Sequence, residues 1–183
     1  MSTKNESPVA ATKVVTGKVR FSYLHVWEPT SIDESSDKKY SVSLIIPKSD
    51  KATIAKINKA IENATELGKG KWGGKIPAKL KTPLRDGDVD RPDDAAYANA
   101  WFINASCKSK PGVVDANLNA ILQQDEVYSG CYGRASINFY AYDAKGNKGI
   151  AAGLNNLQKL EDGDALGGRS SAESDFGDDS FLD

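Results

Sequence analysis

The stretch Arg134-Ala-Ser-Ile-Asn-Phe-Tyr-Ala-Tyr142 decides how the chain is read. Its residues alternate: Ala135, Ile137, Phe139 and Ala141 share one parity, while Arg134, Ser136, Asn138, Tyr140 and Tyr142 share the other. That is the period of a strand with one buried face. If the apolar set is core, the opposite face presents an arginine and two tyrosines beside hydrogen-bonding groups. Asp143–Asn147 (DAKGN) follows as a hairpin turn carrying its glycine. The strand therefore spans about Cys131–Tyr142 and its partner about Lys148–Gln158.

Upstream, Thr12–Trp27 alternates, with Val15, Val19, Phe21 and Tyr23 on one parity and Lys18, Arg20 and Ser22 on the other. Tyr40–Ile46 is a second half-buried strand ending at Pro47, and Trp101–Lys108 a further one. A helix is expected over about 50–67, capped by Ser49 or Asp50, with Ile54, Ile57, Ile61 and Ala64 at helical spacing and Gly68 as its stop. Mostly strands with one helix predicts a mainly β chain, an OB-like curved sheet or barrel. The division expected is a flexible N-terminal arm over 1–11, a binding domain over 12–160 and a disordered acidic tail over 161–183.

Composition excludes several classes. The 183 residues carry a net charge of −1, one histidine and two cysteines. Bulk basicity, paired-histidine chemistry and a disulfide framework are ruled out, and no cofactor or metal is expected. No apolar run is long enough to span a membrane, and the first residues lack a signal-peptide core, so a soluble, cytoplasmic protein is expected. The charge is nevertheless split. Residues 161–183 hold eight acids against one base, −7, whereas 1–160 hold 23 bases against 17 acids, +6. Such a tail cannot bury enough surface to offset the entropy of ordering. Its Asp175, Phe176, Asp178, Asp179, Phe181, Leu182 and Asp183 combine apolar anchors with charge, the form of a partner-docking motif.

Residues 68–85 (GKGKWGGKIPAKLKTPLR) hold six bases, no acid and Trp72. Lysines that follow phosphates around an aromatic stacking face suit single-stranded nucleic acid. The competing reading is a solvated lysine-rich loop with Trp72 folded back as an anchor. Candidate phosphate contacts are Lys18, Arg20, Lys69, Lys71, Lys75, Lys79, Lys81, Lys108, Lys110 and Arg134. Candidate stacking residues are Trp72, Phe102, Tyr140 and Tyr142, against the alternative that the tyrosines lie in a second small core beneath the long loop. No phosphate-binding P-loop or calcium loop survives inspection of the spacing. Cys107 and His25 read as structural, and no enzyme emerges.

At PLRDGD (83–88), AWFINASCKSKPGVVD (100–115) and EVYSGCYGRASINFYAYDAKGNKGIAAGLNNLQKLEDGD (126–164) the chain closely resembles a phage and prophage family of single-stranded DNA-binding proteins. The resemblance covers most of 13–183. It implies an OB fold with an acidic tail and sequence-tolerant DNA binding in phage replication or recombination. It also implies a place in the bacterial host cell, with replication or recombination proteins as tail partners. One departure shows in the order of elements: two strands precede the helix, where OB folds usually place three. Two rival functions stay open, a metal-dependent nuclease using the acids at 86–94 and an adaptor acting through its tail. The sequence leaves a homodimer open.

Overall fold

The computed structural model describes residues 11–31 and 33–166. Eight strands form one sheet: β1 Lys13–Val15, β2 Val19–Thr30, β3 Lys39–Pro47, β4 Arg85–Asp86, β5 Ala100–Cys107, β6 Gly112–Val114, β7 Tyr132–Ala144 and β8 Asn147–Glu161. Five of them close a ring, β2–β3–β5–β8–β7 and back to β2, antiparallel except for β5–β8. Closure removes the open edges of the longest strands. The ring encloses Phe21, Leu44, Ile46, Ile103, Ile137, Phe139 and Leu157, all fully buried. The predicted parity of β7 holds throughout: Ala135, Ile137, Phe139 and Ala141 are buried, and the alternate residues face out. Ala144 pairs with Asn147 across Lys145 and Gly146, both at positive φ, as a two-residue hairpin turn requires.

The first segment does not run through as one strand. It breaks between Val15 and Val19, where the Thr16 hydroxyl accepts from the Ala135 N–H and the Gly17 N–H donates to Thr53 Oγ1. The two pieces pair in succession along β7, β1 at Val14↔Ile137 and β2 at Val19↔Gly133. In chain order three strands therefore precede the helix. Within the ring β1 and β2 occupy one position, so the helix falls between the second and third ring strands, a variant of the usual OB order.

That helix, α1, is Lys51–Leu67. The Asp50 carboxylate accepts from the Thr53 N–H and hydroxyl, satisfying the first turn. Thr53, Ile57, Ala60 and Ala64 form its buried face, which packs against β7 and β1. Gly68 ends it by close approach: a Cβ there would collide with that of Ala141.

The stretch from Gly68 to Asn99, read as lacking regular structure, wraps the ring as short pieces. A 3-10 turn at Lys69–Trp72 is followed by β4, the single-turn α2 (Gly87–Asp90) and a 3-10 turn at Ala95–Tyr97. Its second half straps the outer surface of β3 and β5, covering a small core of Ile45, Tyr97, Ala100 and Phe102. Lys48 fastens the strap, with Nζ 2.8 Å from both Asp86 and Asp88. The body also continues past the expected boundary at 160. Leu166 donates its N–H to the Ser129 carbonyl and packs against the small core, while Tyr128 Oη donates to the Gly163 carbonyl.

Candidate nucleic-acid interface

The outer surface of the ring carries a row of polar residues broken only by a glycine. Strand pairing aligns His25 with Ser41, Ser41 with Ser106, Ser106 with Gly153, Gly153 with Asn138, and Asn138 with Lys13. Directly paired residues point to the same face. Val26, Val42, Ala105, Ala152, Ile137 and Val14, one step along each strand, are buried. The row thus runs around the outside of the ring, a path of five inter-strand steps or roughly 24 Å.

At its β2–β3–β5 end the row forms the floor of a cleft of about 720 Å³, which Tyr23, Lys39 and Arg91 also line. Tyr23 departs from its predicted side. Its parity partners Val19 and Phe21 are buried, yet it is 53% exposed at φ 46°. The β2–β3 register shifts between Ser22 and His25, and this bulge turns the ring outward. The Arg91 guanidinium stands 5.4 Å from the Tyr23 ring centroid and 5.5 Å from those of Tyr97 and Phe102. The strap therefore delivers a cation to the cleft over an exposed ring. Lys108 faces Asp37 on the cleft rim at 3.8 Å, and Lys110 stands 5.5 Å over the Trp27 ring.

The residues singled out from sequence do not form one surface. Tyr140, Tyr142 and Arg134 lie on the outer face of β7, with Tyr140 42% exposed and Tyr142 half-buried. Lys108 and Lys110 lie near the cleft. Lys18 and Arg20 belong elsewhere: Lys18 pairs with Glu161 at 2.9 Å, and Arg20 donates to the Gly130 and Asp164 carbonyls. Both stand over the Tyr132 ring. Their charge is engaged in holding the end of β8. Lys69 pairs with Glu66, Lys71 donates to the Ala141 carbonyl, and Lys81 is bridged to Gly149; Lys75 and Lys79 are exposed on the loop.

Two stacking assignments are corrected. Trp72 is buried, its Nε1 donating to the Tyr142 carbonyl at 3.0 Å. It is the folded-back anchor of the basic loop, because an indole N–H inside protein must find an acceptor. Phe102 points outward by parity but is 1% exposed, edge-on to Tyr97 beneath the strap. The second small core under the long loop exists, and Phe102 rather than Tyr140 or Tyr142 occupies it. The tail positions Asp175, Phe176, Asp178, Asp179, Phe181, Leu182 and Asp183 lie outside the described residues, as do residues 1–10 of the expected arm.

Sequence reasoning missed Tyr23, His25 and Arg91. No periodic signal marks a bulge, and Arg91 reaches the cleft only through the fold of the strap. Four of the five acids at 86–94 serve that strap: Asp86 and Asp88 hold Lys48, Asp94 caps the Ala95–Tyr97 turn and Asp90 faces Arg85 at 3.5 Å. The Lys48 hydrogen bond, with a further one from the Asn99 N–H, keeps the Asp88 carboxyl below the usual carboxylate range. Burial pushes the Cys107 and Cys131 thiols up, away from the reactive thiolate.

The chain has counterparts among known proteins. The family model described as the ssDNA-binding protein of Enterobacter phage Enc34 matches residues 12–182. Protein p50 of Acyrthosiphon pisum secondary endosymbiont phage 1 is 36% identical over 177 residues, covering 91% of this chain and 93% of its own. Among solved structures, the single-stranded DNA-binding protein of bacteriophage Enc34 in complex with ssDNA superposes with a TM-score of 0.78 at 26% identity, covering 91% of this chain and 96% of that one. A single-stranded DNA binding protein encoded by bacteriophage T7 gives a TM-score of 0.61 at 15% identity, covering 92% and 96%, a likeness of fold alone.

Proposed function

The chain belongs to the Enc34 phage family of ssDNA-binding proteins, and from that premise we propose that it binds single-stranded DNA without sequence preference across the outer face of β2, β3 and β5. The cleft there carries the reading, since it pairs the exposed Tyr23 ring with Arg91 above a floor of polar side chains. Ring strands two and three are where five-stranded OB barrels receive oligonucleotides. Every base has a π-face, so an exposed ring beside cations is indifferent to sequence. The role is phage replication or recombination within the host cytoplasm. It is one of binding rather than catalysis, a reading supported by the engagement of Asp86, Asp88, Asp90 and Asp94 within the strap.

The tail belongs to the same proposal. Leu166 ends the described chain on the small core, where Arg20 pairs with Ile45 and Ile45 with Phe102. On β3 this lies four residues from Ser41 in the cleft floor. Residues 167–183 carry five acids against one base. Like DNA they are anionic, and they would compete with it for the basic cleft. Displacement by DNA would release Phe181 and Leu182 to replication or recombination partners.

Titration with labelled oligo-dT and with duplex of equal length, at several salt concentrations, tests the proposal. Preference for the single strand is expected, with a log–log salt slope of roughly −3 to −4 for four to six neutralised phosphates. Equal affinity for both, or none for oligo-dT, would overturn it.

A further inference from the structure

The row of polar residues does not stop at the cleft. It continues over Gly153 and Asn138 to Lys13, and Lys13 lines a second concavity, of about 670 Å³, between α1 and β1. Its charged lining is Lys13, Lys56, Lys59 and Arg134, four bases and no acid. Arg134 is steadied by one hydrogen bond, from Nε to the Thr16 carbonyl at 2.8 Å. Lys59 faces Glu62 only at 3.9 Å, with both side chains about 70% exposed, a pairing too loose and wet to neutralise it. Lys13 and Lys56 make no ion pair among the described residues. Val15, 42% exposed, adds an apolar contact beside them.

Four like charges on one concave wall repel one another, and counter-anions relieve that cost. We propose that this cleft is a second phosphate-binding segment for the same DNA strand. It is occupied only when the strand is long enough to leave the β2–β3–β5 cleft, pass beside Tyr140 over Gly153 and Asn138, and reach α1. Tyr140 lies on this path: a Cβ at Gly153 would stand in ordinary contact with its ring, 3.6 Å from Cε1. The inference rests on the preceding reading for the first cleft and assigns Lys13, Lys56, Lys59 and Arg134 to the backbone of the outgoing strand. None of Lys13, Lys56 or Lys59 stands in the basic loop that dominates the charge pattern of the sequence.

The test compares oligo-dT of about four nucleotides with one of about sixteen, the limits of site size for one OB fold. The double variant Lys56→Ala, Lys59→Ala keeps a good helix former at both exposed positions, so α1 persists. For the long oligonucleotide the salt slope should become shallower by about 1.4, which at 0.1 M salt is a loss on the order of 25-fold. The short one should bind as before, because neither Lys56 nor Lys59 lines the first cleft. In the unaltered protein the long oligonucleotide, and not the short one, should protect Lys56 and Lys59 from acetylation. Unchanged long-strand binding, or equal weakening of both lengths, would overturn the second segment. The preceding reading would stand in either case so long as the unaltered protein binds the short oligonucleotide.

Discussion

Replacing Tyr23 separates what the ring does for DNA from what it does for the fold. The ring is 53% exposed, lies outside the core and touches the Arg91 guanidinium 5.4 Å away. Its backbone sits at φ 46°, which costs an L-residue about 1–2 kcal/mol. Tyr23→Ala keeps that strain and loses a half-solvated cation–π contact, a destabilisation of about 0.5–1 kcal/mol. Tyr23→Gly relieves the strain, and the relief offsets both the lost contact and glycine's extra unfolded-state entropy of about 0.5–1 kcal/mol, leaving stability near that of the parent. Both variants lose the same stacking surface, worth about 1–3 kcal/mol per base, or roughly 5- to 150-fold in Kd. Urea denaturation and fluorescence anisotropy with labelled oligo-dT measure the two quantities independently. Expected is a split in stability between the variants with an equal loss of affinity. Parental affinity in both would refute Tyr23 as a stacking platform. An affinity loss that tracked the loss of stability would show that the ring acts through the fold.

Phe102→Ala should lower stability by roughly 3–5 kcal/mol, since it empties the small core under the strap, whereas Tyr140→Ala should leave the urea midpoint within experimental error and weaken oligo-dT binding. Truncation after Leu166 should tighten oligo-dT binding, most at low salt, while truncation after Leu160 should also destabilise the domain by removing the Arg20 and Tyr128 contacts; binding by the first variant no tighter than by the full chain at low salt would count against competition by the tail. The depressed Asp88 carboxyl contributes stability that is complete above the usual carboxylate range and lost as pH falls through its own lower value. Fluorescence of Trp101, whose ring lies 5.3 Å from Lys48 Nζ, should accordingly stay constant from neutral pH down to that range and change only below it; Asp88→Asn, which has no carboxyl to protonate, should show the altered signal already at neutral pH.

The order and faces of the long elements are legible in the residues themselves. Alternation over 134–142 places Phe139 inside and Tyr140 outside, the Asp50 cap with its isoleucine spacing sets α1, and the Lys145-Gly146 turn sets the β7–β8 hairpin. These are local consequences of side-chain period and backbone preference, and the acidic 161–183 stretch is equally a matter of composition. The binding surface is not local. Tyr23 faces out because a bulge against β3 breaks its parity, and Phe102 is hidden because the strap that precedes β5 folds back over it. Trp72 sits amid lysines, yet its indole is buried where Tyr142 supplies a carbonyl. Lys18 and Arg20 look free along the chain and are held by Glu161, Gly130 and Asp164. The row from His25 to Lys13 exists only in the register of six strands, so no window of sequence contains it. A strand's own pattern tells which side chains leave the core; only pairing with its neighbours decides which of them meet.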